Sequence, residues 1–269
     1  MKSVNLLIKG LLVAAALTAC APANKNGTVA ADGSSQVIGG DVVKPGSRVI
    51  RSTVGLYDAK AGALCSGTLI AENIVLTAAH CVVGDPKALQ VHFNNEMKKS
   101  TPEQIRKVDA GFVNTDYDPQ RKENTADIAL LRFKGGLPLG YGPAKRLKNS
   151  GALVEGITVR IAGYGLNRSW VIKSGAGTLR TTELVVADPH FSATEAMLKQ
   201  SLKRGACSGD SGGPAYLDIG GELHLWGVLS RGDALPTRLT PDCFMLSVYT
   251  RADVYAKWID DGMALLRAQ

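Results

Sequence analysis

Apolar residues follow three regimes along the chain. Near the start they form a short run, Leu6-Leu7-Ile8 and then Leu11 to Leu17, with Lys2 before it and Lys9 within it. At 1.5 Å per residue, the roughly ten residues after Lys9 fall well short of a ~30 Å hydrocarbon core. A basic start, a short apolar core and small residues behind it describe a secretory signal peptide over residues 1–19. No polar face recurs there at helical spacing, as a buried N-terminal helix requires. Residues 21–36 (APANKNGTVAADGSSQ) are small and polar without apolar periodicity, and read as a flexible tether. From Val37 to about Arg251 the pattern becomes short apolar or alternating runs broken by Gly, Pro, Asn and Asp. Gly67–Ile70, Ile74–Thr77, Ile128–Phe133, Ile157–Ala162 and Leu223–Trp226 read as strands, which predicts a β sandwich or barrel. Val254, Trp258, Met263, Leu265 and Leu266 recur at roughly helical spacing and predict a terminal helix over Ala252–Arg267. A second, short helix is expected over Glu195–Leu202, and Gly135–Gly151 is expected to connect two β halves.

Composition narrows the class. With 269 residues, 45% hydrophobic and 20% charged, the chain is long enough for a sizeable core and too apolar for long disorder. Its 30 glycines and 11 prolines agree with many turns. The net charge is +7; removing Lys2 and Lys9 leaves +5. No dense basic stripe appears, so a nucleic-acid partner is not expected. The segment Leu17-Thr18-Ala19-Cys20 resembles the bacterial lipobox. That resemblance implies an exported protein lipidated at Cys20, its mature N-terminus, and anchored to a membrane. Ala21 gives no obvious inner-membrane retention signal, which favours the outer membrane. The five cysteines are then explained, because Cys65, Cys81, Cys207 and Cys243 remain, and four can form two bridges in an oxidising compartment. None is spaced C-x-x-C, so zinc is not expected.

Three segments carry candidate chemistry: Leu76-Thr77-Ala78-Ala79-His80-Cys81, Thr125-Ala126-Asp127-Ile128, and Gly209-Asp210-Ser211-Gly212-Gly213-Pro214. Each alone has a bland reading, as a surface histidine, a turn aspartate or a glycine turn. Together they supply the parts of nucleophilic catalysis. A hydroxyl is a poor nucleophile at neutral pH and needs a base within hydrogen-bond reach. Histidine suits that task, and a carboxylate behind it fixes the tautomer and stabilises the imidazolium. Glycines beside the serine let backbone N–H groups converge on a developing oxyanion. His92, His190 and His224 have no partner motif and receive no role. Asp116-Tyr117-Asp118 superficially matches a calcium loop, but Arg121 stands where glycine is required and Asp127 where the closing glutamate is required. No metal or cofactor is expected.

With these segments in the order His, Asp, Ser, the sequence resembles the trypsin/chymotrypsin family of serine proteases from Val37 to about Ala268. The resemblance also rests on Cys65-Ser66-Gly67-Thr68-Leu69-Ile70, Gly163-Tyr164-Gly165, Val248-Tyr249-Thr250 and Val37-Ile38-Gly39-Gly40. It implies two six-stranded antiparallel β barrels and a C-terminal helix. Within a protease domain at 37–269, barrel one covers about 37–140, barrel two about 150–251 and the helix about 252–267, after a lipidated tether or propeptide at 20–36. It implies His80 as base, Asp127 as orienting carboxylate, Ser211 as nucleophile, and the N–H groups of Gly209 and Ser211 as oxyanion hole. It pairs Cys65 with Cys81 and Cys207 with Cys243. Cleavage before Val37 frees an ammonium that pairs with Asp210, and cuts the domain from its anchor. The substrate pocket falls on Gly205, Ser230, Gly232 and Ser247. Gly205 stands where trypsin-like members carry aspartate, which implies an apolar preference before the scissile bond. Arg231 stands where tryptophan is common; with Arg204 it offers a minority reading, attraction of an acidic side chain. The loop Asp233–Asp242 is longer than the family norm. The expected protein is a monomeric, exported endopeptidase acting on proteins or peptides; the alternative is a weak or inactive protease-like binding protein. The absence of a G-x-S-x-G elbow argues against an α/β-hydrolase esterase.

Overall fold

The computed structural model describes residues 37–148, 150–167, 173–201, 203–233 and 243–269. The signal segment, the tether with Cys20 and most of the long loop, 234–242, lie outside the described residues.

After a two-residue strand β1 (Asp41–Val42), six strands close an antiparallel barrel: β2 (Thr53–Asp58), β3 (Ala63–Ala71), β4 (Ile74–Thr77), β5 (Leu89–His92), β6 (Ile105–Val113) and β7 (Ala129–Phe133), in the order β2-β3-β4-β7-β6-β5. The connection that follows contains β8 (Lys145–Arg146). The second half comprises β9 (Thr158–Gly163), β10 (Arg180–Asp188), β11 (Glu195–Lys199), β12 (Pro214–Ile219), β13 (Glu222–Asp233) and β14 (Leu246–Arg251). These six pair around as β9-β10-β11-β14-β13-β12 and back to β9, a second closed barrel; β1 adds onto β10, and β8 runs parallel to β13. Helix α1 (Ala256–Ala268) ends the chain.

Strand β4 shows why an unbroken apolar run becomes a strand here. All four residues are buried, but on opposite faces. Val75 points into the first barrel's core with Val54, Leu56, Val91 and Phe133, while Ile74 and Leu76 join the layer beneath α1 with Ile128, Leu130, Ile259 and Leu266. Each such side chain contributes about 1.5–3 kcal/mol by leaving water. Trp258 stacks on Phe112 at 4.9 Å between ring centroids. A Cβ at Gly262 would lie 2.3 Å from Phe112 Cδ1, so only glycine lets α1 sit this close. The barrels are also tied through Tyr216, whose buried hydroxyl lies 2.8 Å from Ser52 Oγ and 3.1 Å from Thr53 Oγ1.

Two expected elements differ. Glu195–Lys199 is strand β11, not the start of a helix; Leu202 lies outside the described residues. Ala196 and Leu198 alternate inward, and the backbone pairs with β14 on one side and β10 on the other. Tertiary pairing overrides the helical propensity of Glu, Ala, Met, Leu and Lys. Helix α1 begins at Ala256 rather than Ala252, because Ala252 N–H still bonds the Trp226 carbonyl as the chain leaves β14.

Candidate active site

The three candidate segments converge at the junction of the barrels. His80 sits in a single 3-10 turn, Ala79–Cys81, directly after β4. Cys81 is bridged to Cys65 on β3, which pins this turn to the barrel. Asp127 immediately precedes Ile128 and β7, after Ala126 in the left-handed region at φ 54°. Its side chain is 2% exposed and accepts three donors. Its Oδ1 accepts the His80 backbone N–H at 2.9 Å; its Oδ2 lies 2.7 Å from His80 Nδ1 and accepts Ser230 Oγ at 2.7 Å. A carboxylate is acceptor-only, so Nδ1 carries the proton and Nε2 is left free to accept one. The imidazole itself is 30% exposed, open to a substrate.

Ser211 lies in the tight turn leading to β12. Its carbonyl accepts Ser66 N–H at 2.8 Å, and the Gly212 and Gly213 N–H groups bond Leu229 and Asp210 carbonyls. A Cβ at Gly212 would lie 2.1 Å from Thr77 Oγ1 and 3.0 Å from Ala78 N, so this turn packs against the segment that leads into His80. Asp210 N–H is taken by the Cys207 carbonyl at 2.9 Å. Among the described residues, the N–H groups of Gly209 and Ser211 in this turn bond no backbone carbonyl. They form a pair of open donors in a preorganised loop.

Asp210 is fully buried, and burial pushes its carboxyl up to about 7, against the pull of the N–H groups of Cys207 and Gly165. Those groups donate to it at 2.8 and 2.7 Å. A Cβ at Gly165 would lie 2.5 Å from Asp210 Cγ, which explains the glycines flanking Tyr164. Val37 is fully buried in the second barrel's core with Ala206, and Ile38 forms a bridge with Gly205 whose N–H bonds the Ile38 carbonyl at 3.0 Å. Of the expected pocket residues, Gly205, Ser230 and Ser247 are buried and Gly232 is exposed. Ser247 pairs with Gly232 across β14 and β13. The second bridge joins Cys207 and Cys243, so all four expected half-cystines are paired. Disulfides of this kind persist in oxidising settings outside the cytosol. Cys65, His80 and Cys81 come within 4.8 Å, but both sulfurs are spent in a disulfide, so the cluster offers no metal site.

Arg231 corrects the minority reading of a substrate-facing cation. Its guanidinium pairs with Glu195 Oε1 at 2.7 Å and bonds the Lys122 carbonyl. Glu195 is fully buried and also accepts Asn124 N–H (2.9 Å), Thr125 N–H (3.3 Å) and Thr125 Oγ1 (2.8 Å). The charge at 231 is therefore spent in holding the approach to Asp127. Sequence reading gave Glu195 no role; the available signal was a lone acid at the head of an otherwise apolar stretch. It also passed over Ser66, whose buried Oγ accepts Tyr164 N–H and donates to the Gly209 carbonyl, both at 2.9 Å.

The family model described as Trypsin matches residues 37–259. Over 243 residues the chain is 28% identical to a chymotrypsin of Phaedon cochleariae, covering 85% of this chain and 82% of that protein. It is 30% identical over 239 residues to a chymase of Canis lupus familiaris, covering 84% and 90%. To granzyme F of Mus musculus it is 28% identical over 247 residues, covering 87% and 94%.

Proposed function

The chain belongs to the trypsin family and is a serine endopeptidase of the trypsin/chymotrypsin type, and on that premise we propose that Ser211 is its nucleophile, His80 its general base and Asp127 the carboxylate that orients the base. The observation that carries this reading is the 2.7 Å contact from His80 Nδ1 to Asp127, a carboxylate 2% exposed and held in place by Ser230. It fixes the proton on Nδ1 and aims Nε2 away from Asp127. In the reaction, Ser211 Oγ attacks the scissile carbonyl carbon and passes its proton to Nε2. The oxyanion is received by the open N–H groups of Gly209 and Ser211. The imidazolium then protonates the departing amine, and the C–N bond breaks. Water enters, loses a proton to the same Nε2 and attacks the acyl carbon; the imidazolium then returns that proton to Ser211 Oγ as the ester C–O bond breaks and the carboxylic acid leaves.

In this reading the protein is exported and lipid-anchored at Cys20. Cleavage before Val37 frees an ammonium for the buried Asp210 carboxyl, ordering the loop between Gly205 and Ser211 and releasing the domain in one event. Gln36 precedes that bond, so the activating protease is not specific for Lys or Arg. The uncharged Gly205 favours an apolar side chain before the scissile bond, because an unpaired cation buried there is costly. Single and double replacement of Ser211 and His80 by Ala tests the triad. Each single change lowers kcat by roughly 10⁴–10⁶-fold, and the double variant is no worse than either, because the two act as a unit. Losses that multiply, or a fully active single variant, contradict the assignment.

A further inference from the structure

Gly205 brings no side chain to the proposed substrate pocket, yet the space it leaves is not empty. A Cβ at Gly205 would lie 2.8 Å from Gln200 Cδ, 2.9 Å from its Oε1 and 3.0 Å from its Nε2. The Gln200 carboxamide thus lies directly against the position from which a side chain at 205 would extend. It reaches there from the end of β11, where Gln200 N–H bonds the Met245 carbonyl at 2.6 Å. The residue is 5% exposed, and both ends of its amide are tied. Oε1 accepts Ala206 N–H at 2.5 Å, while Nε2 donates to the Ala206 carbonyl at 3.4 Å and the Cys243 carbonyl at 3.2 Å. These anchors flank the Cys207–Cys243 bridge, so the amide is clamped to both chain segments that the bridge joins.

We propose that Gln200 is the specificity-determining floor of the substrate pocket, limiting it to small or medium apolar side chains before the scissile bond. The inference rests on the protease reading above and deepens it. A longer side chain must push the amide aside and strand the buried Ala206 N–H and two carbonyls without partners, which is costly. An incoming ammonium finds at the floor only a neutral amide whose oxygen already accepts a backbone N–H. Depth and neutrality thus come from one residue five positions before Gly205, and a Cβ at 205 would press against the clamped amide at 2.8–3.0 Å.

The test compares kcat/KM of the protein after cleavage before Val37 on peptide anilides differing only in the residue before the scissile bond, Ala, Val, Leu or Phe. Gln200→Ala empties the floor, whereas Gln200→Met keeps its length and loses its hydrogen bonds. Adding or removing pocket space is worth about 10–200-fold per group. Gln200→Ala is expected to raise the Phe-to-Ala ratio at least about tenfold, mainly through KM for Phe, while Gln200→Met, which keeps the volume but not the clamp, raises it by clearly less. A purely structural role predicts a different result, a common loss of kcat on every substrate with the ratio unmoved. An unmoved ratio in Gln200→Ala, or an equal change in both variants, overturns the proposal. Labelling of Ser211 by a fluorophosphonate, run alongside, separates the two levels. An active, labelled wild type with unmoved ratios removes only the role of Gln200, whereas an unlabelled, inactive wild type overturns the protease reading and this inference with it.

Discussion

Replacing Arg231 by Ala removes one partner of an ion pair whose other member is fully buried. Breaking a buried pair costs about 3–5 kcal/mol when the remaining charge has no other support. Glu195 keeps four other hydrogen bonds, from Asn124 N–H, both donors of Thr125 and Ser192 Oγ. Arg231 is 28% exposed, so water reaches part of the vacated space. The expected loss is therefore smaller, about 2–3 kcal/mol. Urea unfolding of Arg231→Ala, in a Ser211→Ala background that prevents self-digestion, measures it directly. A cycle with Glu195→Gln should return a coupling of at least about 1 kcal/mol between the two residues. The pH dependence gives a sharper sign. Burial alone raises the Glu195 pKa, but the hydrogen bonds from Arg231 and Thr125, the Arg231 charge and the Asn124 N–H outweigh it and hold the group below its ordinary value. Its contribution is thus present above the ordinary glutamate range and lost as pH falls through the lowered value. Without Arg231 two of the lowering influences are gone, so the Glu195 pKa moves up and this acid-side contribution shrinks. A loss under about 0.5 kcal/mol, or an unchanged pH dependence on the acid side, refutes the reasoning.

Two other predictions concern activation and anchoring. Because burial pushes Asp210 up to about 7, the chain still intact before Val37 should lose stability as pH rises from the ordinary carboxylate range through about 7. The full effect is at most about 4 kcal/mol, and Asp210→Asn should abolish it; the same slope in the variant contradicts the assignment. Cys20→Ser should leave the protein soluble or unprocessed when cells are fractionated, and unchanged membrane association counts against the lipid anchor.

The parts of this protein that were legible in its sequence are those in which residue type alone dictates structure or chemistry. Ile74–Thr77 reads as a strand because three apolar residues and a β-branched threonine between turns have little alternative, and the structure adds that the apolar three face two different cores. His80, Asp127 and Ser211 stand out because nucleophilic chemistry requires those types with glycines nearby. Glu195–Lys199 was misread because its residues favour helix in isolation, and only the neighbouring strands decide otherwise. Ser66 and Gln200 were silent for a related reason. A serine beside a cysteine and a glutamine after a strand are ordinary until folding brings Gly209 and Gly205 against them. The pairing of Arg231 is invisible in the sequence because its partner, Glu195, lies 36 residues away.

The central claim is that Ser211 is activated by a histidine held by Asp127. Mass spectrometry of the active protein after reaction with a fluorophosphonate tests it most directly, with the modified residue mapped by peptide sequencing. The account predicts one adduct per chain, on Ser211 Oγ, formed rapidly in the wild type and abolished in His80→Ala. An adduct on another serine, or equal labelling of Ser211 in the His80→Ala variant, contradicts it.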